Sequence, residues 1–103
     1  MIANSSHNPM YFRKDIFIRF EPNIDNGTLF VFNKETGAIF EGDWTAYFVL
    51  TLIDGKKRFS QLLELIAEEF NEDIKDDIFV SSVSTMLAEL EANNLVYSSD
   101  KGD

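Results

Sequence analysis

The chain contains no cysteine, one histidine, two prolines and five glycines, and it has no apolar run long enough to span a bilayer. Without cysteine there are no disulfides, no thiolate nucleophile and no zinc site of the usual kind, as expected of a cytoplasmic protein and not of a small secreted scaffold. The one histidine, His7, lies in a polar N-terminal stretch, so no serine or threonine has an imidazole base within reach, and an enzyme is not expected. The carboxylates Glu68, Glu69, Glu72, Asp73, Asp76 and Asp77 fall on a solvated helix face and a helix start. Their spacing does not fit a calcium loop, and no glycine-rich phosphate loop exists, so neither metal nor cofactor is expected. Positive charge is also scarce: nine Lys and Arg against eighteen Asp and Glu leave a net charge of -9. Such a chain repels phosphate backbones and anionic lipid, which argues for protein or peptide partners and against nucleic acid or membrane. The opening residues carry neither a basic n-region nor an apolar h-region, so a soluble, cytoplasmic chain is expected.

What is present is apolar mass. The 103 residues are 45% hydrophobic and include ten Phe, enough for one modest core without a covalent staple. Residues 1–11 are polar and lack periodicity, which predicts a flexible tail, followed by a domain over 12–97 and a polar tail over 98–103. Residues 15–20 alternate Ile16, Ile18 and Phe20 with Phe17 and Arg19, the pattern of a half-buried strand. Asn26-Gly27 reverses the chain into a second strand over 29–32, and Asn33-Lys34-Glu35-Thr36-Gly37 reverses it again into a third over 38–41. Asp43 is placed to cap an apolar helix over 44–53. A second helix carries Phe59, Leu62, Leu63, Ile66 and Phe70 on one stripe and reads as a cover. A third runs from Asp76 and Asp77 to Ala92, with Val80, Val83, Leu87 and Leu90 toward the core. The resulting fold class is α+β and winged helix-turn-helix-like: a three-stranded antiparallel sheet followed by three helices.

Two features are not absorbed by that core. The third strand (Ala38, Ile39, Phe40, Glu41) is short and at the sheet edge, where its outer backbone groups have no partner. It either accepts another strand or is merely blunted by Glu41 and Gly42 against aggregation. Phe79 and Met86 flank the core stripe of the third helix beside Val83. They are either the side of a wide core stripe or the floor of a groove beside the edge strand. DNA reading by that helix is not expected, because no Lys or Arg occurs from Asp76 to Asp100 and Ser81, Ser82, Thr85 and Glu89 offer phosphate nothing.

The order of three strands and three helices, with Lys34-Glu35-Thr36-Gly37-Ala38-Ile39-Phe40, Asp43-Trp44-Thr45-Ala46, Ile53-Asp54-Gly55 and the closing Leu90 and Leu95, resembles the PqqD-like family of RiPP precursor-peptide recognition elements. Asp43 stands where that family often has Asn, and Gly42 where an aliphatic is common. The resemblance implies a non-catalytic chaperone that binds the leader of a ribosomally made precursor peptide as an added antiparallel strand. It also implies delivery to a maturation enzyme, often a radical SAM enzyme. Carried over by position, Ala38, Ile39, Phe40 and Glu41 supply the backbone edge, and Phe79, Val83 and Met86 the apolar wall. A homodimer is left open, as is a winged-helix interaction or transcription-associated module that acts on no leader peptide.

Overall fold

A computed structural model describes residues 8–99. Its elements in order are β1 (Met10–Arg13), β2 (Ile16–Glu21), β3 (Thr28–Asn33), β4 (Ile39–Gly42), α1 (Trp44–Leu52), β5 (Lys57–Arg58), α2 (Phe59–Phe70), α3 (Asp77–Ala92) and β6 (Val96–Ser99). Strands β2, β3 and β4 form the expected antiparallel meander, and three helices follow it, as the α+β winged-helix-like reading requires. Leu29 and Val31 of β3 are fully buried against Val49 and Leu50 of α1, Leu62 of α2 and Leu87 and Leu90 of α3, which form one continuous core.

Local chemistry accounts for the element boundaries. Asp43 accepts a hydrogen bond from the Ala46 N–H at 3.0 Å and starts α1. Trp44, its first residue, stacks on Phe48 at 5.2 Å and meets the edge of Phe70 at 6.0 Å, so it packs α1 against the end of α2. Asp76 accepts from the N–H groups of Ile78 and Phe79 and starts α3. Asn71 adopts a left-handed conformation with φ 56° and ends α2.

A second small sheet, in the order β5-β1-β6, differs from the sequence reading. Met10 and Tyr11, expected in the N-terminal tail, pair with Arg58 and Lys57 on one side and with Ser99 and Ser98 on the other, and Tyr11 is buried. The basic Lys57 and Arg58 are the third strand of that sheet. Asn8 anchors the segment. Its Oδ1 accepts from the Ser60 N–H at 2.8 Å, satisfying one of the free donors at the start of α2 from outside the helix, and the Pro9 carbonyl accepts from the Phe59 N–H at 2.8 Å. At the other end Ser98 and Ser99, expected in the C-terminal tail, belong to β6. The remaining tail residues, 1–7 and 100–103, lie outside the described residues.

Candidate functional site

The β3–β4 turn fixes which backbone groups of β4 face outward. Asn33 Oδ1 accepts from the N–H groups of Glu35 and Thr36 at 2.8 and 3.1 Å, closing the turn. The Gly37 N–H then donates to the Asn33 carbonyl and the Asn33 N–H to the Ala38 carbonyl, with Gly37 at φ 78°. That is a bulge with glycine in the left-handed region, and it sets Asn33 opposite Ala38 as a hydrogen-bonded pair. Because such pairs alternate along an antiparallel ladder, Phe40 with Val31 and Gly42 with Leu29 are the next ones. The N–H and C=O of Ile39 and Glu41 therefore point away from the sheet. Among the described residues β4 pairs only with β3, and β2 is the other margin of this sheet.

Side chains alternate in the same way. Phe40 turns inward, half-buried against the core. Ile39 and Glu41 project from the outer face, with Ile39 70% exposed. Across that face run two rows: Phe17, Phe32 and Ile39, all exposed, and Arg19, Phe30 and Glu41. Gly42 has a packing reason in place of the aliphatic common in the family the sequence resembles. A Cβ there would lie 2.9 Å from the Phe40 ring and 3.2 Å from the Ala46 methyl, so the Phe40 ring fills the space that a larger residue would take.

Between the helices lies a mainly apolar hollow of about 430 Å³, with Glu72, Asp76 and Ser82 also in its lining. Phe79, Val83 and Met86 line it together, with Val83 buried at its floor and Phe79 and Met86 half-buried. Its opposite wall is Thr45 and Val49 of α1 with Ile66 and Phe70 of α2. Ala38, Ile39, Phe40 and Glu41 do not line it. The nearest wall residue to β4 along the chain is Thr45, just past the Asp43 cap. The candidate residues thus fall on two neighbouring features, a strand margin and an interhelical hollow, joined through the start of α1. The second helix, read as a cover, also contributes a wall. Ile78, at 80% exposure on the rim, was missed as well, although an isoleucine off the core stripe of an otherwise polar helix face was a legible signal.

The outer surface of α3 carries Ser81, Ser82, Thr85 and Glu89 and no basic residue. Among the described residues no group of His, Asp or Glu could hold a metal ion, and no helix is long and apolar enough to cross a membrane.

Among the described residues the chain is a strand-strand-strand-helix-helix-helix unit of the α+β, winged-helix-like class, with an open sheet margin and an apolar hollow. The family model of coenzyme PQQ synthesis protein D (PqqD) matches residues 28–96, and the chain belongs to that family. Membership implies an accessory protein of PQQ or related ribosomal-peptide biosynthesis, partnered with a precursor peptide and a maturation enzyme. No curated protein and no solved structure matches the chain.

Proposed function

We propose that this protein binds the leader segment of a ribosomally made precursor peptide by β-strand addition at β4 and presents the peptide to its modifying enzyme, of the radical SAM class. The observation that carries the reading is the open margin of β4, where the backbone groups of Ile39 and Glu41 point outward, with an apolar hollow whose lining begins at Thr45, just past the Asp43 cap. Main-chain hydrogen bonds to those two residues supply affinity, and side chains reaching the hollow at Phe79, Val83 and Met86 supply selectivity. The protein performs no chemistry of its own in this reading.

The test is a titration of the leader segment against the isotope-labelled protein, followed by backbone amide NMR. Shifts concentrated at residues 38–41 and 79–86 are expected. Shifts at Ile16, Ile18 and Phe20 would move the guest to the other sheet margin and defeat the assignment. Proline replacements add a parity test. Glu41→Pro removes an outward N–H and abolishes guest binding with the fold retained, whereas Phe40→Pro removes an inward one and breaks the ladder to β3. Undiminished leader affinity in Glu41→Pro would rule out strand addition at this site.

A further inference from the structure

The outer face of the sheet ends at β4 in two rows of opposite character. The first, Phe17, Phe32 and Ile39, is apolar, with exposures of 58%, 41% and 70%. The second, Arg19, Phe30 and Glu41, ends on a carboxylate with no ion pair among the described residues. Its row-mate Arg19 is held by Glu21, and two strand spacings, roughly 10 Å, separate Arg19 from Glu41. Asp25 and Asp43 share the shallow recess in which Glu41 sits, so negative charge is concentrated at this end of the margin. Between the two rows Phe40 faces the opposite way, toward the helices.

We infer that the occupant of the β4 margin is an extended segment that reads, from N to C, a Lys or Arg, an apolar residue and a large apolar residue. The inference rests on the strand-addition reading and on an antiparallel guest. A strand antiparallel to β4 meets Glu41, Phe40 and Ile39 in that order. Residues directly opposite each other in a ladder share a face. The first guest side chain therefore lies beside Glu41 on the outer face and takes a cation. The second lies beside Phe40 on the inner face, where a polar group would lose water without gaining a partner. The third extends the row of Phe17, Phe32 and Ile39 by one more apolar side chain and removes the edge of that row from water. A second copy of this chain is a poor occupant. An antiparallel pair of β4 strands centred on Phe40 would set each Ile39 against a Glu41 carboxylate, between two chains each carrying a net charge of -9.

The experiment uses short fluorescent peptides that differ only in a central triplet, Lys-Leu-Phe, Glu-Leu-Phe or Phe-Leu-Lys, and measures binding by anisotropy. Lys-Leu-Phe is expected to bind about fivefold tighter than Glu-Leu-Phe, given the size of opposite against like charge pairs across a ladder. Glu41→Lys reverses that order, and the preference shrinks as salt is raised while the apolar part persists. N-methylation of the guest amides opposite Ile39 and Glu41 abolishes binding without altering the protein. Binding that N-methylation abolishes but that ignores the triplet, or that Glu41→Lys does not reverse, overturns this inference and leaves strand addition standing. A preference for Phe-Leu-Lys overturns the antiparallel order. Binding that survives N-methylation, no binding of any triplet at millimolar concentration, or a dimer in sedimentation that dissociates on Glu41→Pro overturns strand addition by a guest peptide and this inference with it.

Discussion

Asn33 is the side chain on which the relative placement of β4 and α3 turns, and Asn33→Ala is the most direct way to disturb it. It is the one buried polar residue among those described, 2% exposed, at the end of the inward face of β3 after Leu29 and Val31. Its Oδ1 closes the β3–β4 turn onto the N–H groups of Glu35 and Thr36. Its Nδ2 donates to the Asn94 carbonyl at 2.7 Å, just past the end of α3. One amide thus fastens the turn that sets the β4 register to the end of the helix that carries Phe79, Val83 and Met86. Alanine removes three hydrogen bonds, each with a net value of roughly 1 kcal/mol, and leaves a part-buried carbonyl without its donor. The turn amides can still reach water, so the expected loss is about 2–4 kcal/mol, at the upper end of what a single polar deletion produces. Urea unfolding followed by tryptophan fluorescence reads it directly, since Trp44 is the only Trp. Asn33→Asp separates the two roles: it keeps the acceptor for the turn but loses the donor to Asn94. A loss under about 0.5 kcal/mol for Asn33→Ala, or an Asn33→Asp variant as stable as the unsubstituted protein, would refute the account of Asn33 as a structural tie.

Four further outcomes follow from the same geometry. Asn8→Ala removes the acceptor that caps α2 and lowers stability by about 1 kcal/mol, read as a lower Tm; an unchanged Tm would return residues 8–11 to the status of a tail. Gly42→Ala drives a methyl into the Phe40 ring and costs about 1–3 kcal/mol, less in a Phe40→Leu background, so a double-mutant cycle with no coupling would contradict the contact. The Asp54 carboxyl is held below its ordinary value chiefly by a hydrogen bond from Lys57, so it contributes stability above the ordinary carboxylate range that is lost as pH falls through the lowered value. Lys57→Met should shift its NMR titration upward, and an unmoved midpoint would discount the pair. A mobility-shift assay with duplex DNA at low salt should show no complex, because α3 presents no cation to phosphate; a shift that weakens with salt would revive DNA reading by this winged-helix-like fold.

The meander and the helices were legible because each carries a strong local signal. Ile16, Ile18 and Phe20 alternate, Asn26-Gly27 and Asn33 to Gly37 supply turn chemistry, Asp43 and Asp76 cap, and the α2 and α3 stripes hold a helical period. The sheet of β5, β1 and β6 was not, for a physical reason. Its strands have two to four residues, and Lys57 and Arg58 look like solvent-facing charges until the partner strand is known. What holds this sheet together is long-range pairing and the cap from Asn8 to Ser60, neither of which leaves a periodicity in sequence. The edge residues at 38–41 were locatable, but their parity was not. Whether Ile39 or Phe40 faces inward depends on the bulge at Gly37, since one extra residue there reverses every side chain after it. Phe79, Val83 and Met86 were readable as a side stripe of α3, while the opposite wall of the hollow required knowing where the start of α1 meets the end of α2.

Two ties at separate places hold the walls of the candidate site. Asn33 fastens the β4 turn to the end of α3, and the small second sheet joins β6, directly after α3, to β1, which Asn8 and Pro9 in turn join to the start of α2. Among the described residues β4 has no strand on its outer side, and Ile78 near the start of α3 stands in water. A protein whose only task was to bury its core would gain by covering both. This one leaves a strand margin and an apolar hollow open within a few residues of each other along the chain, on a framework tied together around them, which is the arrangement the proposed strand addition requires. In the proposed strand addition the guest supplies the missing strand, and little of its binding energy is spent ordering the protein.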